Sequence, residues 1–185
     1  MNQQQLNDLT KRCYEAAKAN GWHEQERTPN EFILLIQSEM FECFEAYRKN
    51  KYAKIIIENT TQAKRFFNGE CEFDKGFFEM CIKDTFEDEL ADTAIRIFDC
   101  AGAFGLNLKV RFYKGGNASF IEVCTEFVRF SSGIFNNDIL AGNLDYLLIC
   151  IIEIAMQNNI DILRHIDLKL EYNKTRGIRH GNKIL

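Results

Sequence analysis

Two acidic pairs carry the first chemical signal in this chain: Glu39-x-x-Glu42 and Glu89-x-x-Asp92. Residues at i and i+3 of a helix are neighbours on one face, so each pair presents two carboxylates side by side. Set opposite each other, the pairs gather four carboxylates around one space. Such a cluster repels itself and raises its own pKa values unless a cation neutralises it. Hard oxygen donors of this kind suit Mg²⁺, with Mn²⁺ as the alternative. The three histidines, His23, His165 and His180, have no ligand spacing to one another, which argues against zinc.

Helical phase separates these acids from ordinary surface charge. At about 100° per residue, Leu35, Glu39, Glu42 and Ala46 fall on one stripe flanked by Ile36 and Cys43. Glu39 and Glu42 therefore interrupt a face that is otherwise buried or half-buried. Glu45 falls with Ser38, Arg48 and Lys49 on a solvent face. In the later segment Leu90, Ala94, Ile97, Phe98 and Ala101 form the apolar side, with Glu89, Asp92, Arg96 and Asp99 as an adjacent polar stripe. Taken alone, that stripe reads as solvated charge of little consequence, with Arg96 pairing to Asp92 or Asp99 on its own helix.

A third group lies in KLEYNKTRGIRHGNK, residues 169–183. Lys169 and Asn173 share a helix face, followed by Lys174, Arg176 and Arg179. One reading is a frayed helix end whose cations suit the helix dipole. The other is a phosphate grip, with arginine binding oxygens bidentately and lysine acting as a point charge. Carboxylates for a metal plus a basic arm for phosphates is what a Mg²⁺-nucleotide site requires. Lys83 and Arg96 are secondary candidates for the same role. Trp22, just past a helix end, reads as packing rather than as a base-stacking platform.

The elements that must position these groups read as helical almost throughout. A first helix spans about Gln3 to Asn20, with Gly21 suited to end it. A second starts at Thr28 as N-cap, with Pro29 at N1 and Glu31 closing a capping box, and runs to about Asn50. Residues 52–76 are the least regular: Ile55 to Ile57 fit a short strand or a helical turn, and Asn68-Gly69 is a turn signal. A long helix is expected from about Lys75 to Phe104, capped by Gly105, then a loop over residues 109–118. Further helices span about Ser119 to Ser131, Asp138 to Gln157 and Ile162 to Thr175, before a basic tail. The expected fold is all-α, one domain over residues 1–185, a helical bundle built on a four-helix core. Laying Leu90 on Leu144 superposes ELADTAIRIFDCAGAFGLNL on NLDYLLICIIEIAMQNNIDI, the pattern of two degenerate helix-hairpin repeats. Asn143 and Tyr146 then stand where Glu89 and Asp92 stand, so only the first copy carries acids.

Composition narrows the function classes. A net charge of −4 argues against a nucleic-acid partner. The polar opening residues lack the apolar stretch of a secretion signal. The most apolar run, Leu144 to Met156, is short for a membrane span and contains Asp145 and Glu153. Seven scattered cysteines without a C-x-x-C suggest a reducing cytoplasm and free thiols.

Together, Glu39-x-x-Glu42, Glu89-x-x-Asp92, the wider text KDTFEDELADTAIRIFD and the basic tail resemble the MazG-like nucleoside triphosphate pyrophosphohydrolases. The resemblance covers roughly residues 31–50, 83–108 and 161–183. It implies an all-α bundle in which Glu39, Glu42, Glu89 and Asp92 bind Mg²⁺ and act in catalysis, and Lys169, Asn173, Lys174, Arg176 and Arg179 contact phosphates. The implied reaction cleaves a (d)NTP between its α and β phosphates, giving a monophosphate and pyrophosphate. The implied assembly is a homodimer or homotetramer. Forty-six residues separate Glu42 from Glu89, more than many members have there, so residues 52–76 are an insert with a role as lid, contact or pocket wall. A narrower all-α pyrophosphatase, dUTPase-like or acting on phosphoribosyl-ATP, stays open, as does a non-catalytic helical module holding a structural cation.

Overall fold

The computed structural model describes residues 1–109, 118–129 and 137–179, and the chain is all-α. Among these residues there are nine helices and no strand. They are α1 (Gln3–Ala19), α2 (Pro29–Arg48), α3 (Ala53–Asn59), α4 (Thr61–Phe67), α5 (Lys75–Cys81), α6 (Phe86–Ala103), α7 (Phe120–Arg129), α8 (Asn137–Gln157) and α9 (Ile162–Lys174). Most of the expected 109–118 loop, residues 130 and 131 of the expected fourth long helix, and the tail from residue 180 lie outside the described residues.

Local chemistry sets the helix boundaries. Thr28 caps α2 in a reciprocal box with Glu31, with Pro29 in its first turn. Asn2 and Gln5 make a second box on α1. Gly21, Gly69, Gly105, Asn50 and Asn159 all take left-handed backbone just past helix ends. In each case the next amide bonds back across the turn, as from Trp22 to Ala17 and from Leu106 to Ala101. Gly105 and Asn159 coincide when Leu90 is laid on Leu144. Three other helix ends are built the same way, so this match does not single out a repeat.

The long helix expected over 75–104 is two helices. The chain breaks at residues 82–85, where Asp84 takes φ 58°. There Thr85 becomes a new N-cap, accepting from the Asp88 amide while donating to the Ile82 carbonyl. Aspartate tolerates the left-handed region better than most residues. The acids Glu87, Asp88 and Glu89 then sit in the first turn of α6, where the helix dipole favours negative charge.

α6 is the central helix, with α1, α2, α8 and α9 packed against it. Leu90, Ala94, Ile97, Phe98 and Ala101 are all buried, as their spacing predicts. Gly102 lets α1 approach closely: a Cβ there would lie 2.6 Å from the Cβ of Tyr14. α8 is longer than the apolar run read from the sequence. Its Ile139–Gln157 stretch is long and apolar enough to cross a membrane, and half of that stretch is buried within the protein. All seven cysteines are free thiols.

Residues 52–82 hold α3, α4 and α5, and Phe66, Phe78, Cys81 and Ile82 of this segment form a small core with Leu168 and Tyr172 of α9. Ile55 to Ile57 are helical. α3 has no side-chain cap of its own. The Glu87 carboxylate of α6 supplies one, accepting the Ala53 and Lys54 amides at 2.8 and 3.1 Å. At the far end, Arg164 of α9 donates to the Phe66 and Phe67 carbonyls that finish α4.

Candidate metal centre

α1, α2, α6 and α9 wall one cavity of about 350 Å³. Ala16, Ala17 and Asn20 come from α1, and Leu35, Ser38, Glu39 and Glu42 from α2. Glu89, Asp92, Arg96 and Asp99 come from α6, Lys169 and Asn173 from α9, Arg176 from just past its end, and Lys83 and Asp84 from the 82–85 turn. Thus Glu39, Glu42, Glu89 and Asp92 share one cavity. Oxygens of Glu39, Glu89 and Asp92 lie within 4.8 Å of one another. Glu42 lines the same wall but is exposed and stands outside this compact trio. The polar stripe of α6 therefore faces the cavity and is not the solvated edge it suggests when taken alone.

Burial dominates the electrostatics. Glu89 is only 4% exposed. Its carboxyl has no hydrogen bond or ion pair among the described residues, and burial, then the nearby Asp92, push it up to about 9. Burial and Asp92 also raise Glu39, against the pull of Arg96, whose Nε donates to Glu39 Oε1 at 2.9 Å. This corrects the expected pairing of Arg96 within its own helix. Its long side chain crosses to the buried acid on α2, and its guanidinium lies 5.7 Å from the centre of the Trp22 ring. Trp22 is buried, as a packing residue should be, and also forms part of the cavity wall.

Asp88, which spacing alone did not mark, is fully buried beside the trio. Its Oδ2 accepts from Lys169 Nζ at 2.7 Å and from the Asp84 amide at 3.0 Å, while its Oδ1 has no partner among the described residues. Burial pushes Asp88 up to about 6 despite Lys169. Lys169 Nζ also lies 2.7 Å from Asp92 Oδ2. Burial would strip its proton, but Asp92, Asp88 and Glu89 outweigh that and hold it above the usual lysine range. Asp84, Asp88 and Glu89 form a second set of carboxylates whose oxygens lie within 4.8 Å of one another. The signal for Asp84 and Asp88 was present in KDTFEDE, a capping threonine with acids on both sides.

The expected basic arm divides. Asn173 and Arg176 line the cavity, and Asn173 Oδ1 is buried without a partner among the described residues. Lys169 lines it too, but its ammonium is committed to Asp88 and Asp92 and does not project towards phosphates. Lys174 points away to an exposed pair with Glu171, three residues back on α9. Arg179 folds back on the end of α1, donating to the Gly21 carbonyl and pairing with Glu24 at 2.7 Å, where helix-end carbonyls attract a cation. Lys83 lines the cavity, paired with Asp84 at 2.6 Å.

The lining holds six carboxylates, Glu39, Glu42, Asp84, Glu89, Asp92 and Asp99, against four cations, Lys83, Arg96, Lys169 and Arg176. An all-oxygen donor set fits Mg²⁺ or Mn²⁺ and fits zinc poorly. No protein-family model, no curated protein and no solved structure matches the chain.

Proposed function

We propose that the protein is a Mg²⁺-dependent nucleoside triphosphate pyrophosphohydrolase of the MazG-like, four-helix-core type, hydrolysing (d)NTP to (d)NMP and pyrophosphate. The observation that carries this reading is Glu89: a buried carboxyl without a hydrogen bond or ion pair among the described residues, within 4.8 Å of Glu39 and Asp92 oxygens in a cavity that Lys83 and Arg176 also line. A buried carboxylate is expensive unless it is paired or binds a metal. Glu39, Glu89 and Asp92 would hold Mg²⁺, which when bound polarises phosphate oxygens and makes hydroxide accessible near neutral pH. Glu42, the exposed acid on the same wall, orients the attacking water towards the α phosphorus. Arg176 and Lys83 neutralise charge on the departing pyrophosphate. Asn173 offers its side-chain amide to the substrate. Lys169 holds Asp88 and Asp92 in place and leaves their other oxygens available.

A second reading has its own observation. Arg96 and Lys169 already pair with Glu39 and Asp92, as they would in a non-catalytic helical module neutralised from within. Incubating the protein with each NTP and dNTP plus Mg²⁺, and scoring monophosphate and pyrophosphate, separates the two. The enzyme yields both products in equal amounts, and Glu39→Gln abolishes them. The module yields none, and Mg²⁺ leaves its melting temperature unchanged. A response confined to dUTP would narrow the activity to the dUTPase-like class. The proposal extends to a cytoplasmic homodimer or homotetramer, which light scattering on the purified chain tests.

A further inference from the structure

The end of the cavity away from the Glu39, Glu89 and Asp92 trio leads to an inference that rests on the nucleotide reading above and deepens it. Asp99 lines the cavity and is 1% exposed. Its Oδ1 lies 2.7 Å from His23 Nε2, which fixes the orientation of the carboxylate. Its Oδ2 is buried with no hydrogen-bond partner among the described residues. Buried acceptors are almost always matched, so Oδ2 calls for a donor from a ligand. Asp99 stands seven residues past Asp92 on the same face of α6, roughly 10 Å along the axis at 1.5 Å per residue. A sugar and base reach about that far from an α phosphate held at the trio.

The walls at this end are apolar. α2 runs antiparallel to α6, with Cys43 on the Phe86 carbonyl at one end and the Phe32 ring against Phe104 at the other. Leu35, one turn beyond Glu39, is therefore level with the Asp99 end. Cys13 and Ala16 of α1 and Ile95 of α6 line the cavity with it. Apolar walls with few convergent polar groups suit the flat faces and polar edge of a nucleobase. We propose that Asp99 reads that edge and selects guanine. An ionised carboxylate only accepts hydrogen bonds. Guanine alone has adjacent donors, N1–H and N2–H, on its Watson–Crick edge. Adenine and cytosine set a ring-nitrogen lone pair beside their amine, and uracil and thymine flank N3–H with carbonyls. Each of these four turns an acceptor towards the carboxylate. Oδ2 takes one guanine donor, and the remaining acceptor position of Oδ1 takes the other.

The test is calorimetric binding of nucleoside monophosphates to the full chain, which reads the base without turnover. Guanosine monophosphate should bind about tenfold to a hundredfold tighter than inosine monophosphate, which lacks only the 2-amino group, the discrimination of one bidentate pair. Adenosine, cytidine and uridine monophosphates should bind as weakly as inosine monophosphate. Asp99→Asn exchanges an acceptor for an amide donor. It should turn the preference towards xanthosine monophosphate, whose 2-carbonyl accepts from that amide, a gain that misfolding cannot produce. Guanosine monophosphate binding no tighter than inosine monophosphate in the parent, or no binding of either, overturns the assignment. So does an Asp99→Asn chain that melts like the parent and still prefers guanosine to xanthosine monophosphate. The two readings fail separately. Guanine preference without hydrolysis of GTP removes the enzyme and keeps the base pocket, whereas equal hydrolysis of every NTP keeps the enzyme and removes the base pocket.

Discussion

Because burial and Asp92 push Glu89 up to about 9, its carboxyl keeps a proton at neutral pH that the unfolded chain releases near 4.5. Folded protein thus binds more protons than unfolded protein between those values. The contribution of Glu89 is fully present below the unfolded value and is lost as pH rises through the folded one. In EDTA, the melting temperature of the parent should fall from pH 6 to pH 9, by at most roughly 1.4 kcal/mol per pH unit from this group. Glu89→Gln, which mimics the protonated acid, should show a flatter profile and an equal or higher melting temperature at pH 8. Mg²⁺ at a hundredfold excess over its Kd stabilises the parent by about 2.7 kcal/mol and the variant by far less. Thermal melts at the two pH values, with and without Mg²⁺, check both statements. His165 gives the opposite slope. Burial lowers it to about 3, so it stays neutral when folded, and its contribution is lost as pH falls from about 6.5 towards 3. His165→Leu should reduce acid destabilisation below pH 6, as melts between pH 4 and pH 7 would show.

The helical phase of α2 is the strongest prediction at the level of elements. Glu45 pairs with Arg48 and Lys49 on the outer face, whereas Glu39 sits in the cavity wall. Glu45→Gln should change turnover by less than about twofold, while Glu39→Gln should cost at least about a hundredfold, the scale of losing one main electrostatic group. This phase was legible in the sequence because apolar residues bracket the stripe on both sides. The break between α5 and α6 was not, because Phe78, Cys81 and Ile82 continue an apolar pattern up to Asp84. The segment of α3, α4 and α5 was illegible for another reason. α3, α4 and α5 have seven residues each, too few to be stable alone, and α3 and α4 are tied by distant charges, Glu87 and Arg164. Glu87→Ala should leave the Ala53 and Lys54 amides unmatched and cost about 1–3 kcal/mol. Hydrogen exchange should then quicken over residues 53–67 while α6 and α8 stay protected; uniform exchange through the whole chain would show that the clamp is not local.

At the scale of the whole molecule, one cavity depends on three helices, α1, α2 and α9, meeting around α6. The sequence showed which residues carry charge, but which cations face inward was decided by packing. Lys169 is drawn into the acids by Asp88, and Arg179 is drawn out to the end of α1 by Gly21 and Glu24. The two tail arginines therefore differ in role: Arg176→Met should raise the KM for nucleotide about tenfold or more, and Arg179→Met should lower stability with KM unchanged. The central claim is attack of water on the α phosphorus in the cavity of Glu39, Glu42, Glu89 and Asp92. Its most direct test is hydrolysis of a (d)NTP in ¹⁸O water with Mg²⁺, followed by mass spectrometry of both products. The prediction is one ¹⁸O atom in the nucleoside monophosphate, none in pyrophosphate, and no product from Glu89→Gln. Label in pyrophosphate, orthophosphate as the first product, or no Mg²⁺-dependent turnover of any nucleotide would contradict it.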